Sequence, residues 1–174
     1  LQPSYTVDAG CCTNAGAVAG MAVERFAGTV ESLALVPVEP LVEWVSTIDD
    51  WPKPRRNGAT HVTDRKWHGF GEVMRSLVGG LLAKFPDCVD DLWILSHVSP
   101  GHRITPHRDE QSSSWRCRVH VPIISNAQSR FIVGDSDHQM VPGMAYRVNT
   151  EAVHSVTNEG STPRVHFMFD VRGS

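Results

Sequence analysis

The sequence predicts a mainly β protein, a sandwich, jelly roll or barrel with helices packed on its outside, and three observations carry that prediction. Short runs rich in Val, Ile and Phe recur at close intervals over residues 92–98, 118–124, 130–133, 145–148, 153–157 and 165–171. Clusters of Gly, Pro, Asn, Asp and Ser separate these runs, as turns separate short strands. Several runs also alternate with period two: Val119, Val121 and Ile123 oppose Arg118 and His120, and Val165, Phe167 and Phe169 oppose His166, Met168 and Asp170. That period belongs to a strand, whose successive side chains leave opposite faces.

The first half of the chain reads differently. Residues 1–30 are rich in Gly, Ala and Cys without clear periodicity. From Pro40 to Ile48 the apolar residues Leu41, Val42, Trp44, Val45 and Ile48 fall at helical spacing, and Asp49, Asp50 and Pro52 end the pattern. The polar segment 54–71 reads as an extended surface stretch. A second helix is expected over 71–85, with Met74, Leu77, Val78, Leu81 and Leu82 as its buried stripe, weakened by Gly79 and Gly80. Helices first and strands after gives helices on the outside of a β core. At 174 residues the chain fits one domain: a helical and irregular part, 1–90, packed on a β core spanning 91–172. Trp44 and Trp51 are expected to pack the helices on that core.

Composition is that of an ordinary soluble globular protein, with 41% hydrophobic and 20% charged residues. A formal charge of −3 gives no reason to expect nucleic acid or a membrane surface as partner. Cys11, Cys12, Cys88 and Cys117 lack the paired spacing of a zinc knuckle or disulfide scaffold, and all four read as reduced thiols of a cytoplasmic protein. No segment reaches the ~20 apolar residues of a membrane helix. The apolar stretch 15–21 is too short for a signal core. Oligomeric state is not legible.

Pro106-His107-Arg108-Asp109 lies in a polar loop between strand candidates. In an extended chain His107 and Asp109 project to one side and can hold one ion from adjacent corners. His154 begins a later strand after the turn Asn149-Thr150-Glu151. Two imidazoles and a carboxylate on one side of a metal leave positions open for other ligands, a donor set suited to non-haem Fe(II) that must also bind O₂. Nine histidines and eleven aspartates make a chance His-x-Asp common, so the motif depends on its context.

Arg164 supplies context. It stands ten residues beyond His154, across the Asn158-Glu159-Gly160 turn, where a hairpin would bring it back beside the strand of His154 facing inward. A buried guanidinium needs a partner, either a dicarboxylate co-substrate or an internal carboxylate such as Asp170.

From Ser96 to Asp170 the chain resembles the aspartyl/asparaginyl β-hydroxylase family of Fe(II)/2-oxoglutarate-dependent oxygenases. The resemblance rests on an ordered series: Ser96-x-x-x-Pro100-Gly101, Pro106-His107, Arg116-x-Arg118-x-His120, Pro142-Gly143, His154 with Arg164 ten residues on, and Phe169-Asp170-Val171. It implies a cupin-like double-stranded β-helix with His107 and His154 as iron ligands, which Asp109 completes as the metal and catalytic triad read from the motif. It also implies that Arg164 binds the far carboxylate of 2-oxoglutarate with help from Ser96, and that Arg118 and His120 form an inward pair near this co-substrate. The spacing from His107 to Arg118 is two residues longer than in the peptide-hydroxylating members. Those members carry glycine where this chain has Asp109, which makes the site more like bacterial members, including those similar to free-proline hydroxylases.

The implied reaction is hydroxylation of an amino-acid side chain, free or in a peptide, by an Fe(II)/2-oxoglutarate dioxygenase using O₂ and giving succinate and CO₂. The substrate is then expected at the barrel mouth, near residues 65–71 and 110–115, with Trp115 as an aromatic wall and Arg116 as an anion clamp. A non-catalytic cupin-type module that binds metal or a small molecule is the competing reading. It has no use for Arg164, and neither has a hydrolytic zinc site on the same triad.

Overall fold

A computed structural model describes residues 24–48, 51, 60–63 and 71–174. The elements run β1 (Val30–Leu35), α1 (Glu39–Ser46), β2 (Thr60–Thr63), α2 (Gly71–Leu82), β3 (Cys88–Val98), β4 (Arg103–His107), β5 (Trp115–Ile124), β6 (Ser129–Val133), β7 (Ser136–His138), β8 (Met144–Val148), β9 (His154–Asn158) and β10 (Arg164–Gly173). They form a six-stranded sheet, ordered β1-β8-β5-β10-β3-β2, and a four-stranded sheet, ordered β4-β9-β6-β7. Every pairing is antiparallel. Two facing sheets flanked by helices make the double-stranded β-helix implied by the sequence resemblance.

The helices cover the outer face of the large sheet. Leu41 and Val45 of α1, with Met74, Val78 and Leu81 of α2, share one apolar core with Leu95, Val119, Val121, Phe167 and Phe169. Trp44 and Trp51 pack at its margin, as expected. Pro40 in the first turn of α1 supplies a φ already suited to a helix. The helix stops at Ser46 rather than Ile48, where the Thr47 N–H donates to the Trp44 carbonyl and the Ile48 N–H to that of Val45. A second apolar cluster, including Val98, Ile104, Phe131, Tyr146, Val148 and Val156, fills the space between the sheets.

Two expectations need correction. The segment 54–71 is not simply extended surface, because Thr60–Thr63 pairs with β3 and closes one edge of the large sheet. Nor does a hairpin set Arg164 beside the strand of His154. β9 belongs to the small sheet and β10 to the large one, so residues 159–163 cross between sheets and Arg164 pairs with Val98 on β3. Cys88 and Cys117 are free thiols as expected, whereas Cys11 and Cys12 lie outside the described residues. No helix among the described residues is long and apolar enough to cross a membrane.

Candidate metal centre

The proposed ligands meet because of one irregularity in β4. Ile104 pairs with Val156, and His107 pairs with His154, so three steps along β4 match two along β9. The extra residue is a β-bulge at Thr105-Pro106, on an edge strand where a proline that cannot donate is tolerated. Strict alternation from inward-facing Ile104 would turn Pro106 inward; the bulge turns His107 inward instead. His107 is therefore the last residue of a strand, not part of a loop as its polar surroundings suggested. Asp109 follows in the connection to β5, its backbone N–H donating to the Thr150 carbonyl at 2.9 Å.

The ligand atoms of His107, Asp109 and His154 all lie within 4.8 Å of one another. His107 Nε2 is 3.7 Å from Asp109 Oδ1, and His154 Nε2 is 4.0 Å from Asp109 Oδ2. Each Nδ1 lies close to the carbonyl two residues before it: His107 to Thr105 at 2.8 Å and His154 to Ala152 at 3.0 Å. A carbonyl only accepts, so Nδ1 carries the proton in both rings and both Nε2 lone pairs face the common centre. Burial lowers the pKa of His154 below the ordinary histidine value, favouring the neutral ring that a metal requires. Its ring also stacks on Phe131, with centroids 5.9 Å apart. The residues fit a divalent ion held by three donors on one side.

All seven residues singled out in the sequence line one cavity of about 50 Å³: Ser96, His107, Asp109, Arg118, His120, His154 and Arg164. Sequence reasoning did not assign its remaining walls, Ile104, Phe131, Thr150, Val156 and Met168. A larger, mostly apolar groove of about 740 Å³ lies between the β1–α1 connection and α2, and none of the seven residues lines it.

Beyond the triad, the large sheet presents a polar face to the cavity. Arg164 is 2% exposed, and among the described residues its side chain hydrogen-bonds His166, with Nη2 2.9 Å from Nδ1 of that ring. No carboxylate among the described residues pairs with it, and burial pushes its guanidinium down to about 9, still protonated at neutral pH. The internal partner considered for it, Asp170, is held by Arg118 instead. His120 is buried with both ring nitrogens lacking a hydrogen-bond partner, and His166 Nε2 is likewise unpartnered. Burial first, and the Arg164 charge second, hold both imidazoles well below the ordinary histidine pKa, so they are neutral. A protonated guanidinium thus sits near unsatisfied ring nitrogens on one buried face, polar groups whose burial is costly without a partner.

The expected substrate contacts fare less well. Trp115 is wholly buried and its Nε1 donates to Asp170 Oδ1 at 3.2 Å, so it offers no wall at the mouth. Arg116 donates to the Ser113 and Trp115 carbonyls and does not line the cavity. Residues 64–70 lie outside the described residues.

Comparison with known proteins agrees with this fold. Many solved structures share it, among them three oxygenases. One is a *Pseudomonas putida* prolyl-4-hydroxylase, 13% identical, with a TM-score of 0.60 over 84% of this chain and 92% of that one. Another is a viral collagen prolyl hydroxylase from Paramecium Bursaria Chlorella virus-1 in its 2OG complex, 9% identical, with a TM-score of 0.59 over 85% and 98%. The third is a *Burkholderia pseudomallei* oxidoreductase of the 2OG-Fe(II) oxygenase family, 12% identical, with a TM-score of 0.59 over 77% and 79%. No curated protein matches the sequence. The family described as Aspartyl/Asparaginyl beta-hydroxylase matches residues 63–173, well over half the chain. The chain therefore belongs to the aspartyl/asparaginyl β-hydroxylase family, and it is an enzyme of the hydroxylase kind.

Proposed function

We propose that this protein is an Fe(II)/2-oxoglutarate-dependent hydroxylase acting on an amino-acid side chain, free or within a peptide. One observation carries the reading: Arg164, a buried guanidinium with no carboxylate partner among the described residues, lies in the same cavity as a His-Asp-His donor set. A buried cation of this kind is costly unless an anion joins it, and a dicarboxylate joins it while its other end reaches the metal.

In this reading His107, Asp109 and His154 hold Fe(II) through Nε2, one carboxylate oxygen and Nε2. Arg164 fixes the far carboxylate of 2-oxoglutarate, with Ser96 and His120 on the cavity wall beside it. Bound Fe(II), with 2-oxoglutarate and O₂, supplies the oxidising chemistry that places a hydroxyl on the substrate and leaves succinate and CO₂. The chain's own contribution is ligand geometry, co-substrate orientation and exclusion of water by Ile104, Phe131, Val156 and Met168. Two fold neighbours are prolyl hydroxylases, which supports an amino-acid substrate class.

The test is anaerobic addition of Fe(II) and 2-oxoglutarate to metal-free protein. The wild type should develop the weak visible charge-transfer band of the chelate, and Asp109→Ala and Arg164→Met should lose it. A wild type without the band, or variants that keep it undiminished, would sink the reading. Succinate release with free amino acids, against release with Asp- or Asn-containing peptides, then separates the two substrate classes.

A further inference from the structure

Arg118 lines the cavity, as its place in the family motif implies, and its guanidinium is also held by two carboxylates. Each of its three nitrogens donates to a carboxylate. Nε and Nη2 bind Asp170 Oδ1 and Oδ2 at 2.8 and 2.9 Å, and Nη1 binds Asp109 Oδ2 at 2.5 Å. Asp170 stands directly across from Arg118 in the β5–β10 pairing, is 1% exposed, and also accepts from Trp115. A chain of hydrogen bonds thus runs from the two central strands of the large sheet to Asp109, which lies in the connection after an edge strand of the small one.

We propose that Arg118, clamped by Asp170, is a positioning residue that holds Asp109 as a one-oxygen metal ligand. The inference rests on the metal-centre reading above. A carboxylate binds a metal through one oxygen or two, and two-oxygen binding fills a position that co-substrate or O₂ needs. With Oδ2 committed to a guanidinium that cannot lose its proton at neutral pH, Oδ1, the oxygen nearer His107, is left for the ion. The clamp is formed by these hydrogen bonds alone and is in place before any metal arrives. Ligand geometry held this way is fixed by the sheet rather than by the loop.

The experiment titrates Co(II), a visible-absorbing stand-in, into metal-free protein, and follows both affinity and the Co(II) absorption bands. Arg118→Met and Asp170→Asn should each weaken binding about ten- to a hundredfold and alter the bands, although neither removes a ligand. Arg118→Lys should restore part of the affinity. In an Asp109→Ala background Arg118→Met should cost nothing further. Because Arg118→Met leaves Asp170 buried and unpaired, the double variant Arg118→Met/Asp170→Leu, which removes both charges, serves as the folded control and should show the same metal defect. Unchanged Co(II) affinity and bands in a folded Arg118 variant would overturn the inference. So would a loss that persists without Asp109, or weakened 2-oxoglutarate binding with metal binding intact. A wild type that binds no Co(II) overturns this inference and the metal-centre reading together. A wild type that binds Co(II) normally but gives no band with Fe(II) and 2-oxoglutarate overturns only the oxygenase reading.

Discussion

On β10, Val165, Phe167, Phe169 and Val171 point toward the helices, while Arg164, His166, Met168 and Asp170 point toward the small sheet. All eight are buried. The strand beside it repeats the division, with Cys117, Val119, Val121 and Ile123 on one side and Arg118 and His120 on the other. The same backbone thus supports two interiors. The helix-covered interior is apolar and close-packed, and its contribution is burial. The interior between the sheets keeps a cavity, unpartnered nitrogens and, among the described residues, a cation without a counter-charge. Such a face is costly to bury, and the cost is a sign of a bound ligand rather than of a stable core.

That contrast is open to experiment. The largest stability loss should come from the helix side: Phe169→Ala removes a fully buried ring and should cost about 3–5 kcal/mol. Denaturant unfolding measures it, and a loss below 1 kcal/mol would deny that this face holds the fold. From the other face, Arg164→Met should lower 2-oxoglutarate affinity about a hundredfold by calorimetry while leaving the unfolding midpoint of the empty protein level or raised. A large drop in midpoint would make Arg164 structural and erase the contrast.

Acid should act through the same polar face. His120 and His166 are held neutral, with folded pKa values well below the ordinary 6.5. The unfolded chain therefore binds more protons below about pH 6.5, so stability is fully present above that value and falls as pH drops toward the folded pKa values. Each histidine contributes at most about a tenfold change in the folding equilibrium per pH unit. Unfolding of metal-free protein at pH 7.5 and 5.5 should show the loss, and His166→Leu should make it shallower. The smallest effect belongs to Trp115→Phe, which deletes one hydrogen bond to Asp170 and should cost about 1 kcal/mol.

What the sequence revealed, and what it hid, follows from position in the sheets. Strands buried on one or both faces announced themselves by alternation or apolar runs, as in 118–124 and 165–171. The four strands without such a signal, β1, β2, β4 and β7, are the four edges of the two sheets. β4 buries only Ile104, and β7 buries nothing. An edge strand is held by backbone pairing on one side and carries little apolar pattern. The site was legible residue by residue, since all seven candidates share the cavity. Its wiring was not, because Arg118 and Arg164 carry the same chemistry on neighbouring strands. Arg164 shares β10 with Asp170, about 20 Å away along the strand, whereas the β5–β10 register sets Arg118 directly across from it.

The bulge that aims His107 also places a ligand on an edge strand, paired on one side only. Two ligands belong to the small sheet, and the third is tethered through Arg118 to the large one. An ion at their centre would act as a clasp between the two halves of the sandwich. Amide hydrogens along Arg103–His107 should then exchange far more slowly once metal is added, while those of β10, already enclosed on both faces, should scarcely change.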